Sequence, residues 1–233
     1  MFNNFEMESQ KSVLEKREKE NLIVLMGEVS RAPEFSHEAF GEKFYSLEIS
    51  AARLSGVKDV LPVIISERVY DVEKIKLGQL ISVRGQVRTY NQRTDEFNEN
   101  NLKKQKLIIS VYVTDIEEIP EELEKVQHIN DVYLTGYICK PPTYRQTPKG
   151  REVGDLMLAV HRAYSAGGFT KSDYIPCICW GKDARYIGNQ EVGMKVKLKG
   201  KLQSREYNKK LSEFESETRI AYEVSVSLIQ LSE

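Results

Sequence analysis

The 233-residue chain is short of most features that mark a specialised class of protein. No apolar run approaches the roughly 18 residues needed to cross a bilayer, so no membrane span is expected. The opening stretch MFNNFEMESQKSVLEKREKEN lacks an apolar signal core, which gives a cytoplasmic expectation. Cysteines are few and odd in number: Cys139, Cys177 and Cys179 stand in apolar, strand-like sequence and read as reduced thiols rather than a disulfide framework. A Cys-x-Cys pair with no third or fourth ligand nearby makes a poor zinc site, and packing is the better account. The three histidines, His37, His128 and His161, are scattered, and there is no P-loop, GxGxxG or HExxH motif. An enzyme, a metal, a cofactor and a small-molecule substrate are therefore not expected. His161, beside Arg162, reads as a groove-facing or packing residue.

An excess of one charge is also missing, since 34 Lys and Arg nearly balance 35 Asp and Glu for a net charge of -1. The balance conceals a split. Residues 130–233 hold 16 basic against 12 acidic residues, and residues 1–129 hold 18 against 23. Such a division suggests that only one half faces a polyanion, although an acidic stretch (Glu117, Glu118, Glu121, Glu122, Glu124) accounts for part of it.

What the chain does have is a repeat of itself. NLIVLMGEVSRAP (21–33) lies over NDVYLTGYICKPP (130–142), LPVIIS (61–66) over IPCICW (175–180), and LGQLISVRGQV (77–87) over VGMKVKLKGKL (192–202). Alternating apolar positions predict strands near 22–31, 43–53, 60–66, 79–90 and 106–118, then 131–139, 151–163, 174–180, 194–207 and 219–231. A short helix-compatible stretch separates the third and fourth strands of each copy, at 67–76 and 181–190. This is the pattern of an all-β protein with two tandem OB folds, each a five-stranded Greek-key barrel with a short helix between strands 3 and 4. The division expected is a charged N-terminal arm over 1–20, a first OB domain over 21–118, a linker of one or two helical turns over 119–129, and a second OB domain over 130–233. Segments 91–105 and 208–218 read as polar hairpin loops. For the arm, a frayed end and an oligomer contact are both open.

The second copy carries the chemistry. In MKVKLKGKLQSREY, a period of two puts Met194, Val196, Leu198, Gly200 and Leu202 on one face. Lys195, Lys197, Lys199, Lys201, Gln203, Arg205 and Tyr207 fall on the other. Same-face residues repeat about every 6.6–7 Å, near the spacing of phosphates along an extended strand, and each phosphate neutralised releases counterion. Lysines that discourage edge pairing would explain the row, but not the aromatics around it. Those are Tyr164 in the second-to-third strand loop, Tyr174 and Trp180 on one face of the third strand, and Tyr207 at the end of the row. Stacking on such rings contributes roughly 1–3 kcal/mol per base, whatever the sequence.

Residues 130–231 resemble the bacterial single-stranded DNA-binding protein family. The resemblance rests on NDVYLTGYI and the following CKPP, on LAVHRAY (158–164), on YIPCICWGK (174–182) and on GKLQSREY (200–207). It implies base stacking at Tyr164, Tyr174, Trp180 and Tyr207, with Arg162, Lys182, Lys199, Lys201 and Arg205 facing the backbone. The first copy keeps the fold but puts Leu54, Val60 and Ser66 where the first three aromatics stand, and Gln92 near the fourth. Arg84, Arg88 and Tyr90 leave it weak contacts at most, so it reads as chiefly structural. The function implied is sequence-independent binding of single-stranded DNA in replication, recombination or repair. The alternative is a primosome or recombination accessory acting through protein contacts. Family members gather four OB domains, so a homodimer is expected. The family's tail with an acidic, hydrophobic tip has no counterpart after QLSE, which makes recruitment of proteins through such a tail doubtful.

Overall fold

A computed structural model of the chain describes residues 20–97, 103–120, 127–162, 171–210 and 216–232. The first copy contains β1 (Asn21–Ala39), β2 (Glu42–Ala52), β3 (Lys58–Ser66), β4 (Leu80–Phe97) and β5 (Lys103–Glu118). These close in the order β1–β2–β3–β5–β4–β1, with β3 and β5 parallel and every other pair antiparallel. The second copy contains β6 (Ile129–Ile138), β7 (Thr143–Gln146), β8 (Glu152–His161), β9 (Ser172–Trp180), helix α1 (Lys182–Gly188), β10 (Lys195–Lys210) and β11 (Ser216–Leu231). It repeats the closure as β6–β8–β9–β11–β10–β6, and β7 is an added edge strand on β8. Both are OB barrels, as the repeat predicts. Each is filled by the apolar faces of its strands, among them Ile23, Leu47, Leu61 and Val111 in the first and Leu134, Leu158, Ile175 and Val196 in the second.

The duplicated glycines mark where strand 1 crosses from one side of its barrel to the other. β1 leaves β4 and joins β2 at Gly27, where a Cβ would press on the Ser50 carbonyl, and β6 does the same at Gly136 against Ala159. Beyond that crossing, β1 runs on to Ala39 against β2 alone, and its register slips around Pro33. A proline is tolerated at such an irregular edge.

Two expectations need revision. The helix between strands 3 and 4 is α1 in the second barrel, anchored by buried Ala184 and Ile187 at helical spacing. In the first barrel it shrinks to a single 3-10 turn, Val72–Lys74, capped by the Asp71 side chain, and only neighbouring Ile75 is buried. The polar stretches 91–105 and 208–218 are not loops throughout, because β4 and β10 extend to Phe97 and Lys210 and β5 and β11 resume at Lys103 and Ser216. A two-stranded ribbon clear of the core needs no apolar face, so periodicity gives it no signal. The arm over 1–19 and residues 121–126 of the linker lie outside the described residues.

The two barrels share a sheet. β1 pairs antiparallel with β6, from Asn21 opposite Leu134 to Met26 opposite Ile129. Asn21 corresponds to Asn130 in the repeat, so the register is its own mirror about the pair Ile23 and Val132, and a local two-fold relates the barrels. Each buried asparagine clips its own fourth strand by two hydrogen bonds. The Asn21 amide donates to Val87 O and accepts from Val87 N, both at 2.9 Å. Asn130 does the same with Leu202, at 2.6 and 3.0 Å.

A second device repeats across the same axis. Asp173 on β9 is fully buried and receives Arg162 Nε and Nη2 at 3.0 and 2.8 Å. Its Oδ1 also accepts the Thr89 N–H of the first barrel at 2.6 Å, while Arg162 donates to Thr89 O at 2.8 Å. Asp59 on β3 is the counterpart. It takes Arg53 at 2.8 and 2.6 Å and the Ser204 N–H of the second barrel at 2.8 Å, and Arg53 reaches Ser204 O at 3.1 Å. Each barrel thus grips the fourth strand of the other with an aspartate held by its own arginine. The hydrogen bond to Asp59 raises the Arg53 pKa against the opposing effect of burial.

Asp173→Asn would leave Arg162 without its counter-charge, and breaking a buried pair from one side costs about 3 kcal/mol or more. Denaturant titration should show that loss for Asp173→Asn and again for Asp59→Asn, and values within error of the parent would remove the clasps as a source of stability. The thiols supply a second check. Burial pushes the Cys177 thiol well up and that of Cys179 up to about 12, and raises half-buried Cys139 as well. Thiolate is the reactive form, so a disulfide reagent at mildly alkaline pH should label Cys139 first and spare the other two until the protein unfolds.

Candidate single-strand interface

The outer surface of β9 carries the large aromatics. Tyr174 is 50% and Trp180 42% exposed, although inward-facing Ile175, Cys177 and Cys179 between them are buried. The period of two therefore spends the small residues on the core and turns the chain's one tryptophan to solvent. Trp180 Nε1 donates to Ser225 Oγ on β11 at 3.2 Å, which fixes the indole against the barrel wall. The Tyr174 N–H donates to Thr89 Oγ1, so this tyrosine starts where the second barrel meets the first. Exposed Tyr90 is the residue after Thr89. Tyr207 lies on the part of β10 that pairs with β11 alone, opposite Arg219, and the Arg205 guanidinium is 5.9 Å from its ring centroid. Arg205 also reaches Glu223 at 3.3 Å. Tyr164 falls outside the described residues.

The lysine row is on the outer face of β10, as the alternation requires, but its neighbours are specific. Lys195, Lys197 and Lys199 stand opposite Tyr137, Thr135 and Tyr133 of β6. Lys199 Nζ sits 5.0 Å from the Tyr133 ring centroid and 3.7 Å from Asp131, and Lys201 reaches the same aspartate at 3.9 Å. A hydrogen bond donated by Lys199 to Tyr133 and the charge of Asp131 raise the Lys199 pKa, so its charge persists but is partly spent inside the protein. Lys201 lies opposite Ser225, the acceptor for Trp180, which makes it the lysine of the row nearest the indole. Lys182 opens α1, two residues beyond Trp180, and is exposed.

Two of the expected backbone contacts have partners within the protein. Arg162 is committed to Asp173 and Thr89 and is a clasp residue. Arg88 is mostly buried, with its side chain on Gln86 Oε1 at 3.1 and 2.8 Å, 4.0 Å from Asp173 and 4.8 Å from the Tyr112 ring centroid. Burial lowers its pKa. Arg84 remains exposed on the outer face of β4.

Sequence reasoning missed Tyr133 and Tyr137, both exposed beside the lysines. The alternation in NDVYLTGYI already put them on the outer face. It also missed the clasp, whose signal was a repeated Asp-x-(Leu/Ile)-Pro, Asp59 to Pro62 and Asp173 to Pro176. Among the described residues no cluster of His, Cys, Asp and Glu could hold a metal ion, and no helix is long and apolar enough to cross a membrane.

Comparison with known proteins falls on the same half of the chain. Residues 129–231 match the model of the single-strand binding protein family. The single-stranded DNA-binding protein of Clostridium tetani is 36% identical over 84 residues, which is 35% of this chain and 58% of that protein. The single-stranded DNA-binding protein 1 of Staphylococcus aureus is 37% identical over 81 residues, 34% of this chain and 48% of that one. The chain thus spans about half the length of the curated relatives it matches. In fold the likeness is longer. The crystal structure of the single-stranded DNA binding protein from Thermus aquaticus superposes with a TM-score of 0.67 and 18% identity, covering 91% of this chain and 93% of that one. The second barrel, residues 129–231, is thus the part of the chain that is similar to the single-strand binding protein family.

Proposed function

We propose that the protein binds single-stranded DNA without sequence preference, chiefly through the outer face of its second barrel, and so shields it during replication, recombination or repair. The observation that carries this reading is the exposure of Tyr174 and Trp180 on one strand face, about 20 Å apart at strand rise. Each offers a flat surface on which any base can stack. Lys182, two residues beyond Trp180, and Lys201 and Arg205 on β10 are exposed cations, and they take the phosphates. Tyr207 extends the path along the β10–β11 ribbon, and Tyr90 adds a contact from the first barrel.

The remainder of the lysine row suits a second copy of the chain better. The outer faces of β5, β4, β1, β6, β10 and β11 form one continuous surface. Lys195, Lys197 and Lys199 stand at one end, and exposed Asp115 and Glu117 at the other, opposite Arg84 and Ser82. Two copies laid face to face in opposite sense would bring the basic end of each onto the acidic end of the other. That gives a homodimer of four OB barrels.

Titration with a poly-dT oligomer should quench Trp180 fluorescence, and the affinity should fall steeply as salt rises. Trp180→Ala and Tyr174→Ala should each cost about 1–3 kcal/mol of binding, more than Tyr90→Ala. No quenching together with no salt slope would reject DNA binding and leave the accessory reading. Light scattering should give the mass of two chains, and Asp115→Lys with Glu117→Lys should shift it towards one. A strict monomer for the parent protein at micromolar concentration rejects the dimer.

A further inference from the structure

Strand β11 runs between β10 and β9, and its Val224 and Val226 are buried in the second barrel. Ser225 between them therefore points outward, on the same side of the sheet as Trp180. Its backbone has little freedom. It pairs with Lys201 on one flank and with Ile178 on the other. Gly200 lets β10 come so close that a Cβ there would press on the Ser225 carbonyl. The hydroxyl is thus carried on a rigid part of the sheet, and it accepts the Trp180 Nε1 proton at 3.2 Å. Trp180 is 42% exposed, which leaves its N–H within reach of water, so the serine is not needed to satisfy it. What the serine adds is a fixed direction for the ring.

The first barrel carries the same two positions with ring and hydroxyl exchanged. Ser66 stands where the second has Trp180, and the register that sets Ile178 opposite Ser225 sets Ile64 opposite Tyr112. The ring has moved from the third strand to the fifth. There it is half-buried, with the Arg88 guanidinium 4.8 Å from its centroid and the Phe44 ring 6.1 Å away. The Ser66 hydroxyl is taken up by Glu42 and by the Arg68 N–H. A ring on the fifth strand is covered by its neighbours, whereas a ring on the third, tethered to a small residue on the fifth, stays exposed.

We infer that Ser225 is a positioning residue for base stacking: its hydroxyl holds the edge of the indole so that Trp180 meets DNA in one orientation. This rests on the proposed DNA binding by the second barrel. A side chain that is already held loses little freedom when a base stacks on it, while immobilising a free one costs affinity. Ser225 acts through the indole N–H, and the stacking surface itself belongs to Trp180.

The test is a double-mutant cycle in the full chain, read by the fluorescence anisotropy of a dye-labelled dT oligomer. Ser225→Ala should weaken binding about fivefold. Trp180→Phe keeps a flat ring but has no N–H, so adding Ser225→Ala to it should cost nothing more. Ser225→Thr restores the acceptor and should recover most of the affinity that Ser225→Ala loses. The free protein offers a readout that needs no DNA. With one tryptophan in the chain, the time-resolved anisotropy of Trp180 should gain a sub-nanosecond component in Ser225→Ala that Ser225→Thr suppresses. Equal loss from Ser225→Ala in both backgrounds overturns the inference, because the serine would then act through something other than the indole. So does parental affinity in Ser225→Ala, or a Trp180 anisotropy decay that the substitution leaves unchanged. A parent protein that does not bind the oligomer at all is a different failure, that of DNA binding by the second barrel, and it removes this inference with it.

Discussion

Two buried carboxylates hold the molecule in its shape. Asp59 and Asp173 each lie at the start of a third strand, where desolvation of a lone carboxylate would be prohibitive. Each is paired with an arginine from its own barrel and also accepts a hydrogen bond from the fourth strand of the other. Sheet pairing between β1 and β6 aligns the barrels, and hydrogen bonds along a strand edge could tolerate a slip. A slip would strip each buried carboxylate of its hydrogen bond to the other barrel's fourth strand. The clasps therefore set the register and fix Tyr174, whose amide is tied into one of them, relative to the first barrel.

The fixed arrangement sorts the cations by task. Arg53, Arg162 and Arg88 are half-buried or deeper and belong to the junction, whereas Lys182, Lys197, Lys201 and Arg205 face solvent. The distinction follows from side-chain chemistry. A planar guanidinium can satisfy a carboxylate and a carbonyl together with little solvent, while an ammonium is better left hydrated. Charge counts along the sequence treat these residues alike, and that is why a basic second half overstates the positive surface available to a polyanion.

The same reasoning marks what could be read from the sequence. The ten barrel strands were legible because each carries an apolar face at period two, and Gly27, Gly85, Gly136 and Gly200 punctuate them at repeating positions. β7 was not, since all four of its residues are exposed and it contributes nothing to the core. Tyr174 and Trp180 could be assigned a common face from parity alone. The partners of Arg162 and Arg88 were not legible, because the sequence gives a strand's outer face without saying what lies across from it. Here another barrel does, and a residue facing outward from its own sheet is inward in the assembled pair.

The pairing of β1 with β6 has a consequence for how the two halves can change. In a dimer of identical chains joined through this edge, any substitution is present on both sides of the axis, and a residue good for one role must be tolerated in its mirror position. Joining the halves in one chain lifts that obligation. Val60 can lie where the other half has Tyr174, and Ser66 where it has Trp180, while the Asn, Asp and Arg positions on the axis stay matched because each still serves its opposite number. Covalent linkage also holds the two edges at a high effective concentration, so the first half can shed surface rings and still keep its place.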